Sequence, residues 1–226
     1  MSESSISSAN GSSNGRPKKD RLVVVGNGMA GVACVEQIMK HAQQFEITIF
    51  GDETHVNYNR IMLSSVLAGE KSPDEIVLNS LEWYEQNEIR LRLGVRITEV
   101  DPEQKTVTGN DGSVTPYDKL LLATGSSPLI PSLDWVQKEG VHVFRSLDDT
   151  RALLERSRTG AKAVVIGGGL LGLEAARGLQ VQGCDVTVVH LPEIGIRGNT
   201  HFAFSDLNNM EIADQVSKFF AQKKLD

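Results

Sequence analysis

Short apolar runs punctuate the chain, and two of them share a grammar. Leu22 to Val25 is a β-branched run that ends at Gly26-Asn27-Gly28-Met29-Ala30-Gly31. An apolar-periodic stretch follows, with Val32, Ala33, Cys34, Val35, Ile38 and Met39, which predicts a helix ending near His41. Phe45 to Phe50 then reads as a second strand running into Gly51, Asp52 and Glu53. The grammar returns at Ala163 to Ile166, which leads into Gly167-Gly168-Gly169-Leu170-Leu171-Gly172. Leu173 to Gln182 predicts a helix stopped by Gly183, and Asp185 to Val189 the strand after it. Between the two copies the spacing predicts a helical turn at Ser80 to Asn87 and short strands at Arg90 to Leu93, Ile97 to Val100 and Lys105 to Thr108. Asn110-Asp111-Gly112 reads as a hairpin turn, and Asp118 to Ala123 as a buried strand ended by Thr124-Gly125. Phe144 to Arg156 reads as a connection and a helix, and Trp83 and Trp135 as packing residues.

Strand, glycine turn, helix and strand in this order carry chemistry. In G-x-G-x-x-G, Gly26 permits a tight turn, Gly28 lets a pyrophosphate approach the backbone, and Gly31 lets helix and strand pack closely. The helix N-terminus then presents unpaired N–H groups and partial positive charge to the phosphates. An acid just past the second strand accepts hydrogen bonds from ribose hydroxyls, and Asp52 and Glu53 both qualify. In the second copy Gly167, Gly169 and Gly172 form the same turn, but His190, Leu191 and Pro192 stand where the acid belongs. Two dinucleotide turns in one chain point to two dinucleotides, a flavin exchanging hydride with a nicotinamide.

Composition narrows the alternatives. The 226 residues are enough for one large domain or two small ones. With 23 Lys and Arg against 29 Asp and Glu, the net charge of −6 argues against a nucleic-acid binder. The two cysteines, Cys34 and Cys184, form no C-x-x-C pair, no disulfide framework and no four-thiolate cluster site. No apolar stretch is long enough to span a bilayer, and the Ser-, Asn- and Gly-rich residues 1–20 lack the apolar core of a signal peptide. A disordered leader and a soluble, cytoplasmic protein are expected.

The quoted motifs, VVVGNGMAG, DETHVNYNRIMLSSVLAG, YDKLLLATGSSP and VVIGGGLLGLEAA, resemble in this order the two-dinucleotide flavoprotein reductases. The chain from about Arg21 to Leu191 is similar to the FAD- and NAD(P)H-binding front part of the assimilatory nitrite reductase large subunit. The resemblance implies that Gly26, Gly28, Gly31 and Glu53 hold FAD, that Arg60 contacts it, and that Thr124 and Gly125 pass its phosphate or ribose side. It implies Gly167, Gly169 and Gly172 for NAD(P)H, with Glu174 near the nicotinamide-binding face of the flavin. Where related ferredoxin and rubredoxin reductases carry a lysine beside the flavin, this chain has Ser65, the nitrite reductase form. Electrons would pass to a downstream redox partner, and no metal site is expected.

The expected fold is α/β with two Rossmann-like lobes, the FAD lobe at 21–139 and an incomplete NAD(P) lobe at 140–191. Residues 192–226 resemble instead the tail of certain α/β-hydrolases, with Gly198-Asn199-Thr200-His201 before a helical stripe from Met210 to Leu225. No G-x-S-x-G elbow set between a strand and a helix exists for His201 to activate, since Gly11 to Gly15 has that spacing only within the polar leader, so hydrolase chemistry is not expected. A fusion near Leu191 and Pro192 is the simplest account. The siroheme and iron–sulfur steps of a full nitrite reductase need ligands that two cysteines do not supply. The alternative is a dinucleotide-binding module, or a remnant, without catalytic turnover.

Overall fold

The computed structural model describes residues 19–42, 44–128, 138–157, 160–187, 193, 195–197 and 209–223. They divide into two units, one within Met1–His55 and Leu81–Thr124, the other within Val56–Ser80 and Gly125–Asp226.

The first unit is built on β1 (Asp20–Val25), α1 (Met29–His41) and β2 (Phe45–Gly51). From Leu22 to Val25 and from Ile47 to Gly51 every residue is buried, the signature of parallel strands covered on both faces. α3 (Leu81–Gln86) leads into β3 (Arg90–Leu93), and β7 (Lys119–Leu122) completes a four-stranded parallel sheet of order β3-β2-β1-β7. The chain builds outward from β1 through β2 and β3, then crosses to its other side with β7. That reversal makes the carboxyl ends of β1 and β7 a topological switch point, where open α/β sheets bind ligands. A side-chain clamp anchors the other end of this pair. The Asp118 carboxylate accepts from the Arg21 backbone N–H at 2.7 Å and from its guanidinium at 3.0 Å, which raises the arginine's pKa.

β4 (Ile97–Asp101), β5 (Thr106–Gly109) and β6 (Val114–Pro116) form an antiparallel meander between β3 and β7. Val107 of β5, with Val95 and Tyr117 flanking the meander, joins Val23, Val25 and Phe50 in one apolar cluster. The expected turn at Asn110-Asp111-Gly112 is present, with Gly112 at φ +79° and the Gly109 N–H donating to the Ser113 carbonyl at 2.9 Å. The Ser113 hydroxyl (2.6 Å) and backbone N–H (3.0 Å) donate to Asp111, and with Arg92 they hold its carboxyl below the usual aspartate range. A lowered carboxyl contributes in full above its unfolded pKa and loses that contribution as pH falls through the folded value. Wild-type melting temperature should therefore drop more steeply than that of D111N once pH falls below about 4. Parallel pH profiles would contradict this.

Two strands differ from expectation. The leucine run at Asp118 to Ala123 reads as a buried strand, yet β7 is an edge strand whose Leu122 is 60% exposed. Among the described residues it pairs with β1 alone, and none of its four residues is fully buried. Among the described residues, the run at Ala163 to Ile166 yields β8 (Lys162–Ala163), paired with β9 (Asp185–Val186); Val188 and Val189 of the expected second strand lie outside the described residues. A strand persists only where a neighbour accepts its backbone hydrogen bonds.

In the second unit Arg60–Met62 forms a 3₁₀ turn leading into α2 (Leu63–Leu67), which packs on α4 (Leu147–Ser157) and α5 (Leu170–Val181). Leu67, fully buried, seats against Gly178, where a Cβ would stand 2.8 Å from the leucine Cγ. Gln182 donates to the Leu67 carbonyl at 2.9 Å and ties the end of α5 to the end of α2. Residues 56–80, placed by sequence within the first expected lobe, thus pack in the second unit. Ile166, Leu170, Leu171, Leu173 and Val181 are exposed. The helix expected over Met210 to Leu225 is α6 (Asn209–Lys223). Trp135 and His201 lie outside the described residues; Trp83 packs edge-on against Tyr84 with ring centroids 5.0 Å apart.

Candidate functional site: two glycine turns

At the carboxyl end of β1 the chain turns sharply. Gly26 has φ +119°, a conformation open to glycine and costly for other residues. Its N–H donates to the Phe50 carbonyl at 2.8 Å, and the Ala123 N–H to the Val25 carbonyl at 2.8 Å, so β2 and β7 flank the turn. A Cβ on Gly26 would stand 2.0 Å from the Ala123 carbonyl oxygen and 3.3 Å from the Thr124 nitrogen. A Cβ on Gly31 would lie 2.5 Å from the Gly26 carbonyl oxygen. Gly31 therefore lets the first turn of α1 close onto the glycine loop as well as onto the sheet. Around Gly28 nothing lies within 4 Å of the Cβ position.

Gly28 is also the N-cap of α1, in extended conformation (φ −92°, ψ 177°), with no side-chain cap and no acidic residue in the first turn. The leading N–H groups of the helix thus receive no acceptor from a capping side chain. Together with the helix dipole, that makes a place for an anion.

The second turn repeats this geometry. Gly167 has φ +129°, and Gly169 caps α5 at φ −76°, ψ 175°, again without a side-chain cap or an acid in the first turn. A Cβ on Gly172 would lie 1.9 Å from the Gly167 carbonyl oxygen, while Gly168 has nothing within 4 Å. One difference stands out. Gly26 is sealed by the backbone of Ala123, whereas the Cβ position of Gly167 meets no described atom within 4 Å.

Of the two acids left open by sequence, Asp52 is already engaged. Arg96 grips it with Nε 3.0 Å from Oδ1 and Nη2 on Oδ2. Glu53 is half-buried, and its carbonyl accepts the Gly94 N–H at 3.0 Å. Sequence reasoning missed Arg96, since a single arginine after a glycine turn carries no motif.

Arg60 lies in the second unit. Its Nη1 donates to the Arg145 carbonyl at 2.6 Å, and its guanidinium carbon sits 5.1 Å from the centre of the Tyr58 ring. Arg145 in turn donates to Ser126 Oγ at 2.8 Å, one residue beyond Gly125, which takes φ +72°. Asp149 accepts from the backbone N–H groups of both Arg145 and Ser146, fixing this segment ahead of α4. Two guanidinium-bearing residues thus share one locality with the end of the Thr124-Gly125 turn; Arg145 too went unread in the sequence. Glu174 is half-buried in α5. Among the described residues, no group of three His, Cys, Asp or Glu is placed to hold a metal, and no helix is long and apolar enough to cross a membrane.

A parallel sheet with a glycine turn at its switch point, and a second such turn opening a second helix, define a Rossmann-type dinucleotide-binding protein. Residues 20–205 match the pyridine nucleotide-disulphide oxidoreductase family, and the chain belongs to it. Members of this family are FAD-dependent NAD(P)H oxidoreductases. The chain is 51% identical to the assimilatory nitrate reductase electron transfer subunit of Bacillus subtilis (strain 168) over 174 residues, 76% of this chain and 23% of that protein. It is 46% identical to the nitrite reductase (NAD(P)H) of the same organism over 207 residues, 91% of this chain and 26% of that protein. In structure it resembles NADH:rubredoxin oxidoreductase from Clostridium acetobutylicum, 28% identical with a TM-score of 0.68 over 75% of this chain and 44% of that one. The chain spans about a quarter of the length of the two Bacillus proteins. The family match runs past Leu191 and Pro192, where the hydrolase-like tail is expected to begin.

Proposed function

We propose that this chain is the dinucleotide-binding part of a flavoprotein reductase of the nitrite reductase large-subunit type. In this reading it takes hydride from NAD(P)H onto FAD and passes electrons to a downstream redox partner. The duplicated turn geometry carries the reading: two positive-φ glycines, each leading into a helix whose N-terminus lacks its own acceptor. Such termini favour diphosphates, and two in one family member match its two nucleotides.

The first turn holds the FAD diphosphate, with Gly28 admitting it to the backbone and Gly26 and Gly31 closing the loop behind it. Glu53, just past β2, accepts from the adenosine ribose. Arg60, with Arg145 beside it, offsets negative charge on the flavin, and Thr124 and Gly125 line the phosphate or ribose side. Gly167, Gly169 and Gly172 hold the NAD(P)H diphosphate, and Glu174 orients the nicotinamide end. A bound flavin supplies two-electron uptake from a nicotinamide and one-electron release to an acceptor. The protein's own part is alignment, which converts an encounter into a positioned transfer.

The test is reconstitution. After incubation with FAD and desalting, the protein should stay yellow, bleach on addition of NADH or NADPH without oxygen, and then reduce a one-electron acceptor such as ferricyanide. A chain that keeps FAD but is not bleached by either nicotinamide is a binding module. One that takes up no flavin refutes the proposal.

A further inference from the structure

The residue between the first two glycines of the turn is free to vary in the motif, yet here it is the best-anchored side chain of the loop. Asn27 Oδ1 accepts the Tyr84 O–H at 2.7 Å, and its Nδ2 donates to the His55 carbonyl at 3.4 Å. Tyr84 comes from α3, 57 residues away, and is only 1% exposed. Trp83 braces it edge-on, and the Tyr84 carbonyl accepts the Ile89 N–H at 2.9 Å. On its other side Asn27 backs onto β2: a Cβ on Gly51 would stand 2.9 Å from the Asn27 Cβ. The loop is therefore clipped to three separate segments through one side chain.

We infer that Tyr84 is a positioning residue for the first dinucleotide: through Asn27 it holds the glycine turn in the shape that receives the diphosphate. The inference rests on the proposed FAD site. The neighbouring residues explain why the clip is an amide. Asn27 must accept from a hydroxyl and donate to a carbonyl at once, which a neutral amide does. A carboxylate would lose the donor and bring negative charge into the loop that faces the phosphates. The clip matters because the adjoining Gly26 and Gly28 add no side chains of their own to restrain the backbone. Losing it leaves more conformations to be frozen out on binding, a cost that appears in affinity.

The experiment is a double-mutant cycle on FAD affinity with Y84F and N27A, read by quenching of flavin fluorescence in the full chain. Y84F keeps the ring and removes one O–H. Each single variant should weaken FAD binding about tenfold, as a net loss of about 1.4 kcal/mol implies, and the double variant should be no worse than either. Circular dichroism of the FAD-free proteins establishes that each variant is folded; loss of native signal in both Y84F and N27A would make the clip a folding contact and overturn the inference. Wild-type affinity in folded Y84F, or losses that multiply in the double variant, would also overturn it while leaving the FAD site intact. A wild-type chain that binds no FAD removes the site and this inference together.

Discussion

Substituting Gly26 by alanine should destabilise the protein by about 4 kcal/mol, the largest single-methyl effect expected in the chain. Two costs add. At φ +119° a residue with a Cβ is strained by roughly 1–3 kcal/mol. The Cβ would also stand 2.0 Å from the Ala123 carbonyl oxygen, a backbone atom of the adjoining strand that cannot swing aside as a side-chain tip could. Forcing it away disturbs the Ala123 N–H to Val25 carbonyl bond that joins β7 to β1, adding an overpacking cost of about 1–3 kcal/mol. The check is urea unfolding of wild type, G26A and G28A side by side. G28A, at φ −92° with nothing within 4 Å, should unfold within about 0.5 kcal/mol of wild type. Equal midpoints for G26A and wild type would mean the turn is not built as described.

The second large effect inverts the first. G28V should fold nearly as wild type but bind FAD about 100-fold more weakly, since the space around Gly28 is where a diphosphate must approach the backbone. Its extended backbone suits a β-branched residue, so the side chain meets the ligand and not the protein. Fluorescence titration gives the affinity and thermal melting of the FAD-free protein the stability. Should G28V lose stability and affinity in proportion, Gly28 serves the fold alone. Taken with G26A, the pair separates a glycine demanded by the chain from one demanded by the ligand, two roles that a glycine motif merges.

Local structure was largely readable in advance where it depends on neighbours in sequence. α1 ends at His41 and β2 begins at Phe45 as the apolar pattern requires, and α5 stops before Gly183, which takes φ +89°. The hairpin at Asp111 and Gly112 follows from turn chemistry alone. Readings failed where a distant partner decides the outcome. The leucines of β7 look like a buried strand, but among the described residues β7 lies at the sheet edge and Leu122 is exposed. The run from Ala163 to Ile166 looks like a full strand, but among the described residues pairing reaches only Lys162 and Ala163.

The same division runs through the site. Glycine spacing marked Gly26, Gly28, Gly31, Gly167, Gly169 and Gly172: Gly26 and Gly167 take positive φ, Gly31 and Gly172 close onto the turn carbonyls, and Gly28 and Gly169 open their helices in extended conformation. That Arg96 reaches back 44 residues to pair with Asp52 could not be read. Nor could the pairing of Arg60 with Arg145 across 85 residues, or the Tyr84 clip on Asn27 across 57. Sequence by itself determined where the backbone must bend and which helices open directly after a glycine turn. Only the tertiary structure decided which side chains brace those bends, because hydrogen bonds between distant segments depend on how the strands are ordered and not on any local pattern.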